Sequence, residues 1–276
     1  MTTPSESRRA PVAARYDLDL SGGGQAGITV SERDRTQPFL LLHGGAGPAS
    51  VAAFGDLLAA RERARVIVPT HPGFDGTPRP DALSSVADLA RLYAGLLERL
   101  GVWDVTVIGN SIGGWIAAEL ALLGSPRVRG AILVDAVGAE IPEHPATDVS
   151  GLGPQQLTAL SFHDPAKAIA RPGAPGPTPE MVQANMGALR AYAGPTMSDP
   201  TLRDRLKGLD LPVHVIWGES DGIAGPAYGQ ALAAAIPGAV FTLLPNTGHM
   251  PQIETPAELL AVICGDRGQP APLSGG

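Results

Sequence analysis

Apolar residues in this chain fall into short unbroken runs, separated by longer stretches where they recur every three or four positions. The run "PFLLLHGG", bounded by glycine, is as expected of a strand buried on both faces, and "RVIVPT", "DVTVIGN", "VRGAILVDAVG", "LPVHVIWGESD" and "AVFTLLPNTGH" read as further strands. Between them, "SVAAFGDLLAARERA", "SSVADLARLYAGLLERLG", "IGGWIAAELALLG", "AYGQALAAAIPG" and "TPAELLAVICG" repeat at helical spacing. In the second of these, Val86, Leu89, Leu92, Leu96 and Leu97 form one apolar stripe, and Gly101 supplies a stop. Upstream, "RYDLDL" and "AGITVSE" flank "SGGGQ" and predict an antiparallel pair. Strands alternating with helices predict an α/β fold with a mostly parallel sheet covered on both faces.

The rhythm breaks between about Gly138 and Asp210, where "RPGAPGPTPE" interrupts helix-like pieces such as "EMVQANMGALRAYA". The expected organisation is a core built from 1–137 and 210–276, with loose ends at about 1–14 and 267–276. An insertion over 138–209, after the sixth strand, would lie over one edge of the sheet as a lid. Leu157, Leu160, Phe162, Met181, Met186, Leu189 and Tyr192 would roof an apolar pocket there or pack the lid onto the core.

Composition narrows the function. The 276 residues, 44% of them hydrophobic, suffice for one large α/β domain. A net charge of -7 leaves nothing basic to neutralise phosphates and argues against a nucleic-acid partner. No apolar run approaches the roughly 20 residues that cross a bilayer. The start "MTTPSESRRAPVAARYD" lacks the apolar stretch of a secretory signal, so a cytoplasmic location is expected. The single cysteine, Cys264, excludes an internal disulfide and a cysteine-based zinc site. It sits in a helix-like pattern as a small hydrophobe.

Candidate chemistry begins at "VIGNSIGGW", where Gly109-Asn110-Ser111-Ile112-Gly113 follows a strand pattern and opens a helix pattern. A serine hydroxyl attacks a carbonyl only if its oxygen is exposed and a base can take its proton. A sharp strand-to-helix turn exposes it, and glycines on either side relieve the crowding. The competing reading is an ordinary loop with an N-capping serine. Of the six histidines, His214 lies inside a strand, and His144 and His163 fall in the insertion. His249, in "LLPNTGHMPQIETP", follows the last strand beside Gly248 and is the expected base. Asp221, in "GESDGIAGP", is the expected carboxylate that orients it, with Asp135 and Glu219 as rivals. The backbone N–H groups of Ile112 and of Gly45 or Gly44, in "LLLHGGAGPAS", would hold an oxyanion. That loop lacks the Lys-Ser/Thr of a phosphate-binding loop. His43, His71, Trp115, Phe162 and Met250 are candidate pocket residues, although His71 could instead bond groups of its own loop.

"HGGAGP", "GNSIGG", "GESDGIAGP" and "NTGHMPQIETP" together resemble the serine-type α/β-hydrolase superfamily, from about Tyr16 to Asp266. The resemblance implies an eight-stranded, mostly parallel sheet with a helical cap after strand six. It further implies a Ser111-His249-Asp221 triad, no cofactor and no metal. The chain order Ser, Asp, His is that of α/β-hydrolases rather than of chymotrypsin or subtilisin. Within the superfamily the motifs look most like esterases and carbon–carbon bond hydrolases of ring-fission products. One departure is "PTHPGFDG", where Thr70-His71 precedes Pro72-Gly73 and relatives often carry an aspartate. A serine nucleophile argues against the haloalkane dehalogenase and epoxide hydrolase relatives, which use aspartate. The expected activity is hydrolysis of a small to medium apolar ester, lactone or similar acyl compound, by a monomer or homodimer. A carbon–carbon hydrolase is the nearest alternative, and a ligand receptor on the same scaffold is the non-enzymatic one.

Overall fold

The computed structural model describes residues 12–265 apart from 21–22, 34–36, 63, 150 and 169–177. Eight strands form one sheet: β1 (Val12–Asp19), β2 (Gln25–Arg33), β3 (Gln37–Leu42), β4 (Ala64–Pro69), β5 (Val105–Asn110), β6 (Val128–Val134), β7 (Val213–Gly218) and β8 (Val240–Leu244). Their order is β1-β2-β4-β3-β5-β6-β7-β8. β1 and β2 pair antiparallel, β2 runs antiparallel to β4, and every other neighbouring pair is parallel. Of the ends expected to be loose, 1–11 and 267–276 lie outside the described residues. Residues 12–14 are instead ladder members, Val12 opposite Glu32 and Ala14 opposite Val30.

Alternation along the central strands sorts side chains onto two faces. Leu40 and Leu42 of β3 join one cluster with α2 (Val86–Arg99), α3 (Ile112–Leu122) and α7 (Pro226–Ala234). Phe39 and Leu41 join the other, with α1 (Ala49–Glu62) and α9 (Pro256–Ile263). The α2 stripe is buried as its periodicity predicted. Its start is fixed by Ser85, whose Oγ accepts the Asp88 N–H, and past its end Gly101 takes φ 64°.

Between β6 and β7 the chain forms α4 (Pro154–Ser161), a 3₁₀ turn (Pro165–Ala168), α5 (Pro179–Ala193) and α6 (Leu202–Leu206). A further short helix, α8 (Pro251–Glu254), follows the loop after β8. The expected helix "EMVQANMGALRAYA" is α5, capped by Thr178 with Pro179 in its first turn. α4 had no signal because none of its residues is buried and its apolar spacing is sparse. Of the proline-rich run at 171–180, residues 171–177 lie outside the described residues. α6 is pinned to α3 by Arg205, whose two terminal nitrogens donate to Glu119 at 2.7 and 2.6 Å.

Candidate active site

Ser111, Asp221, His249 and the Gly44-Gly45 loop follow the C-terminal ends of β5, β7, β8 and β3. That is the edge where open parallel sheets place ligands, because every crossover loop from those strands converges there. Ser111 leaves β5 at φ 58°, ψ −125°, a conformation that costs a non-glycine residue of order 1–3 kcal/mol. The surrounding backbone imposes it. The Ser111 N–H donates to Val134 O at 3.0 Å, and its carbonyl accepts from Gly114 N at 2.9 Å and from Val137 N at 3.3 Å. A Cβ on Gly109 would run into the Gly113 backbone, and one on Gly113 into the Leu42 carbonyl. The glycines are therefore dictated by close approach. The N-capping alternative is corrected here: the Ser111 side chain makes no cap hydrogen bond.

His249 is buried, and its Nδ1–H donates to Asp221 Oδ2 at 2.8 Å. Asp221 is buried too, and its other oxygen accepts the N–H groups of Ile223 at 2.8 Å and Ala224 at 3.1 Å. The carboxylate cannot swing away, which fixes the histidine tautomer and leaves Nε2 bare. Of the rivals, Glu219 is exposed and bonds Asn246 N at 3.1 Å instead. Asp135 lies much nearer: its carboxylate, Asp221 and His249 have donor atoms within 4.8 Å of one another. It is fully buried at φ 45°, and Oδ1 accepts Gly218 N–H at 2.8 Å. Burial, then the Asp221 charge, push its pKa well above the usual carboxylate range.

The base loop is held by residues that motif reading passed over. Asn110 Nδ2 donates to the His249 carbonyl at 2.9 Å, while its Oδ1 accepts from Gln252 Nε2 at 3.0 Å. The residue before the serine thus ties down the backbone of the histidine. No Ser111–His249 hydrogen bond is formed in this conformation: the Ser111 hydroxyl bonds to nothing among the described residues. Glu254 Oε2 accepts Gly248 N–H at 2.7 Å and His163 N–H at 3.1 Å, and Oε1 accepts Asp164 N–H at 2.7 Å. The only signal for these roles was a polar side chain at the end of a buried strand or helix turn.

The N–H groups of Ile112 and Gly45 have no hydrogen-bond partner among the described residues. The first is an orphan donor of the helix N-terminus. A Cβ on Gly44 would come within 3.1 Å of the Ser111 Cβ, and one on Gly45 within 3.2 Å of Leu189. The loop therefore passes directly beside the serine, with α5 above it. Leu160 and Ser161 of α4 approach Gly222 and Gly248 in the same way. Tyr192 is buried, and its hydroxyl donates to Pro72 O at 2.9 Å. Trp115 packs in the core against Gly138, and Met250 receives Gln252 Nε2 at its sulfur, 3.7 Å away. Phe162 is half-buried beside Gly248. His43 and His71 are fully enclosed, their ring nitrogens bonded to neighbouring loop groups and to Tyr93. His214 bonds Thr242 across β7 and β8, and His163 bonds Ser220.

Comparison with known proteins places this geometry in context. The model of the alpha/beta hydrolase family matches residues 39–262. The chain is 29% identical to 2-hydroxymuconate semialdehyde hydrolase of Pseudomonas putida, over 92% of each chain. It is 26% identical to 2-hydroxy-6-oxononadienedioate/2-hydroxy-6-oxononatrienedioate hydrolase of Paraburkholderia phymatum, over 91% of this chain and 94% of the relative. Among solved structures, a thermophilic esterase from Thermogutta terrifontis superposes with a TM-score of 0.72 at 25% identity, over 92% of this chain and 97% of the other.

Proposed function

This chain belongs to the alpha/beta hydrolase family, and from that premise we propose that it is a cofactor-independent serine hydrolase of small to medium apolar acyl compounds. The observation that carries the reading is the buried His249–Asp221 pair, tied through Asn110 to the strained turn at Ser111, beside two amides with no partner among the described residues. His249 Nε2 takes the Ser111 proton as the oxygen attacks the carbonyl carbon, once the two atoms approach to about 2.6–3.2 Å. Asp221 holds the tautomer and stabilises the imidazolium that forms. The amides of Ile112 and Gly45 receive the developing oxyanion. His249 returns the proton to the leaving group, and water then releases the acyl group from Ser111 by the same base.

The insertion serves as the cap. Leu189 of α5 over Gly45 and Leu160 of α4 beside Gly222 bring apolar side chains to the site's rim, which suits an apolar acyl group. The test is fluorophosphonate labelling together with p-nitrophenyl ester hydrolysis across acyl chain lengths. Labelling that disappears in Ser111→Ala, with turnover falling to the roughly 10³–10⁴ over water that binding and the oxyanion hole alone provide, supports the reading. A Ser111→Ala variant that hydrolyses esters like the wild type removes it.

A second reading, hydrolysis of a carbon–carbon bond in a ring-fission dienoate, is favoured by the near full-length similarity to 2-hydroxymuconate semialdehyde hydrolase. It uses the same residues on a diketo substrate. Assaying ring-fission dienoates beside simple esters separates the two by kcat/KM.

A further inference from the structure

Behind the Gly44-Gly45 loop stand two fully buried imidazoles, 3.7 Å apart between ring centroids. Their hydrogen bonds leave no freedom in where the protons sit. A backbone N–H can only donate, so His43 Nε2, 3.1 Å from the His71 N–H, must be a bare acceptor. The His43 proton therefore sits on Nδ1 and is donated to the Gly44 carbonyl at 2.8 Å. His71 has the opposite tautomer. Its Nε2–H donates to the His43 carbonyl at 2.9 Å, and Nδ1 accepts the Tyr93 hydroxyl. The scheme requires both rings neutral. Burial lowers both pKa values, that of His71 to about 4, and burial also keeps the Tyr93 hydroxyl protonated as a donor.

This pattern has a consequence for the Gly44–Gly45 peptide. In a planar trans peptide the carbonyl oxygen and the next N–H point to opposite sides. Two successive glycines let such a plane flip at little steric cost. The Gly44 oxygen is held by His43 Nδ1–H and by the Gly47 N–H at 3.1 Å, and holding it fixes the direction of the Gly45 N–H. A hydrogen bond to the carbonyl also polarises the peptide and makes that N–H a stronger donor.

We propose that His43 is a positioning residue for the oxyanion site: its Nδ1–H grips the Gly44 carbonyl and so aims the Gly45 N–H, while His71 and Tyr93 hold His43 in the one tautomer that can do this. The proposal rests on the serine hydrolase reading for its catalytic purpose. It also gives a role to His71, in the Thr70-His71 stretch where the sequence departs from the family pattern. At this depth a neutral donor–acceptor ring satisfies both the His43 carbonyl and Tyr93 without a buried charge.

The experiment combines two variants with a spectroscopic readout. His43→Ala deletes the grip. His43→Asn keeps an N–H donor near the Nδ1 position. With p-nitrophenyl acetate, His43→Ala is expected to lose about 10²-fold in kcat, the scale of one oxyanion donor, with KM little changed. His43→Asn is expected to recover most of that loss. ¹⁵N NMR of histidine-labelled wild-type protein is expected to show His43 as the neutral Nδ1–H form and His71 as the neutral Nε2–H form, from neutral to mildly acidic pH. A folded His43→Ala with unchanged kcat would show that the Gly47 N–H alone holds the peptide and would overturn the proposal. An asparagine variant no better than alanine would overturn it too, as would an Nε2–H His43. If neither variant folds, the wild-type tautomers decide. Wild-type protein that fluorophosphonate does not label at Ser111 removes the hydrolase reading itself and leaves the tautomer measurement standing.

Discussion

The carboxylate of Glu254 accepts the backbone N–H of Gly248 at 2.7 Å, one residue before His249, and the same carboxylate accepts the N–H groups of His163 and Asp164 from the β6–β7 insertion. One buried side chain thus joins the loop of the proposed base to the segment that follows α4. Glu254→Gln replaces one acceptor oxygen by an NH₂ that faces an amide donor. A loss of about 2 kcal/mol in stability is expected, the scale of a charge-assisted hydrogen bond. Urea unfolding measures it. Michaelis kinetics should show kcat falling more than KM changes, because the displaced loop carries the base rather than substrate contacts.

Asp221, Glu219 and Asp135 separate into three roles by their surroundings. Asp221→Asn should leave the fold intact and lower kcat by about 10⁴-fold through the wrong histidine tautomer. Glu219→Gln should leave kcat unchanged, since Glu219 is exposed and bonds Asn246 instead. Steady-state kinetics on one ester substrate checks both. Equal losses in the two variants would contradict the assignment of Asp221.

Two buried groups should give stability opposite pH dependences. His71 has its pKa lowered from 6.5 to about 4 by burial. The unfolded chain therefore takes up a proton that the folded one refuses. Its contribution is complete above about pH 6.5 and is lost as pH falls towards 4, by roughly 3 kcal/mol across that window. Asp135 is raised, so the folded chain keeps a proton that the unfolded one releases. Its contribution is complete below the ordinary carboxylate pKa and declines as pH rises towards the raised value. Asp135→Asn should then be more stable than wild type at neutral pH, with its amide oxygen still accepting from Gly218. Urea unfolding across pH, in wild type, His71→Gln and Asp135→Asn, resolves the two slopes.

Glycine substitutions should sort by what surrounds them. Gly109→Ala places a Cβ into the Gly113 backbone and should cost more than about 4 kcal/mol or abolish folding. Gly95, inside α2, has nothing within 4 Å of its would-be Cβ. Gly95→Ala should therefore stabilise by about 0.5–1 kcal/mol through helix propensity. Thermal unfolding of the pair tests the steric reading of the turn independently of activity.

The sequence by itself determined the order and kind of the main elements. Their apolar patterns differ: near-continuous buried runs in β3 to β7 and, in α2, a stripe every three to four residues that faces the core. It also determined the strand-end placement of Ser111, Asp221 and His249, because each follows a recognisable strand. Tertiary structure alone decided what lies between those points. α4 escaped notice because its residues pack too little to leave a pattern. Glu254 and Asn110 bond backbone groups far along the chain, and Gln252 bonds the Asn110 side chain 142 residues away. Such bonds depend on where two loops meet, and no local spacing encodes that. The two tautomers at His43 and His71 were likewise beyond any motif. A ring nitrogen is donor or acceptor only by virtue of the group placed opposite it, and that placement exists only once the sheet has closed around the pair.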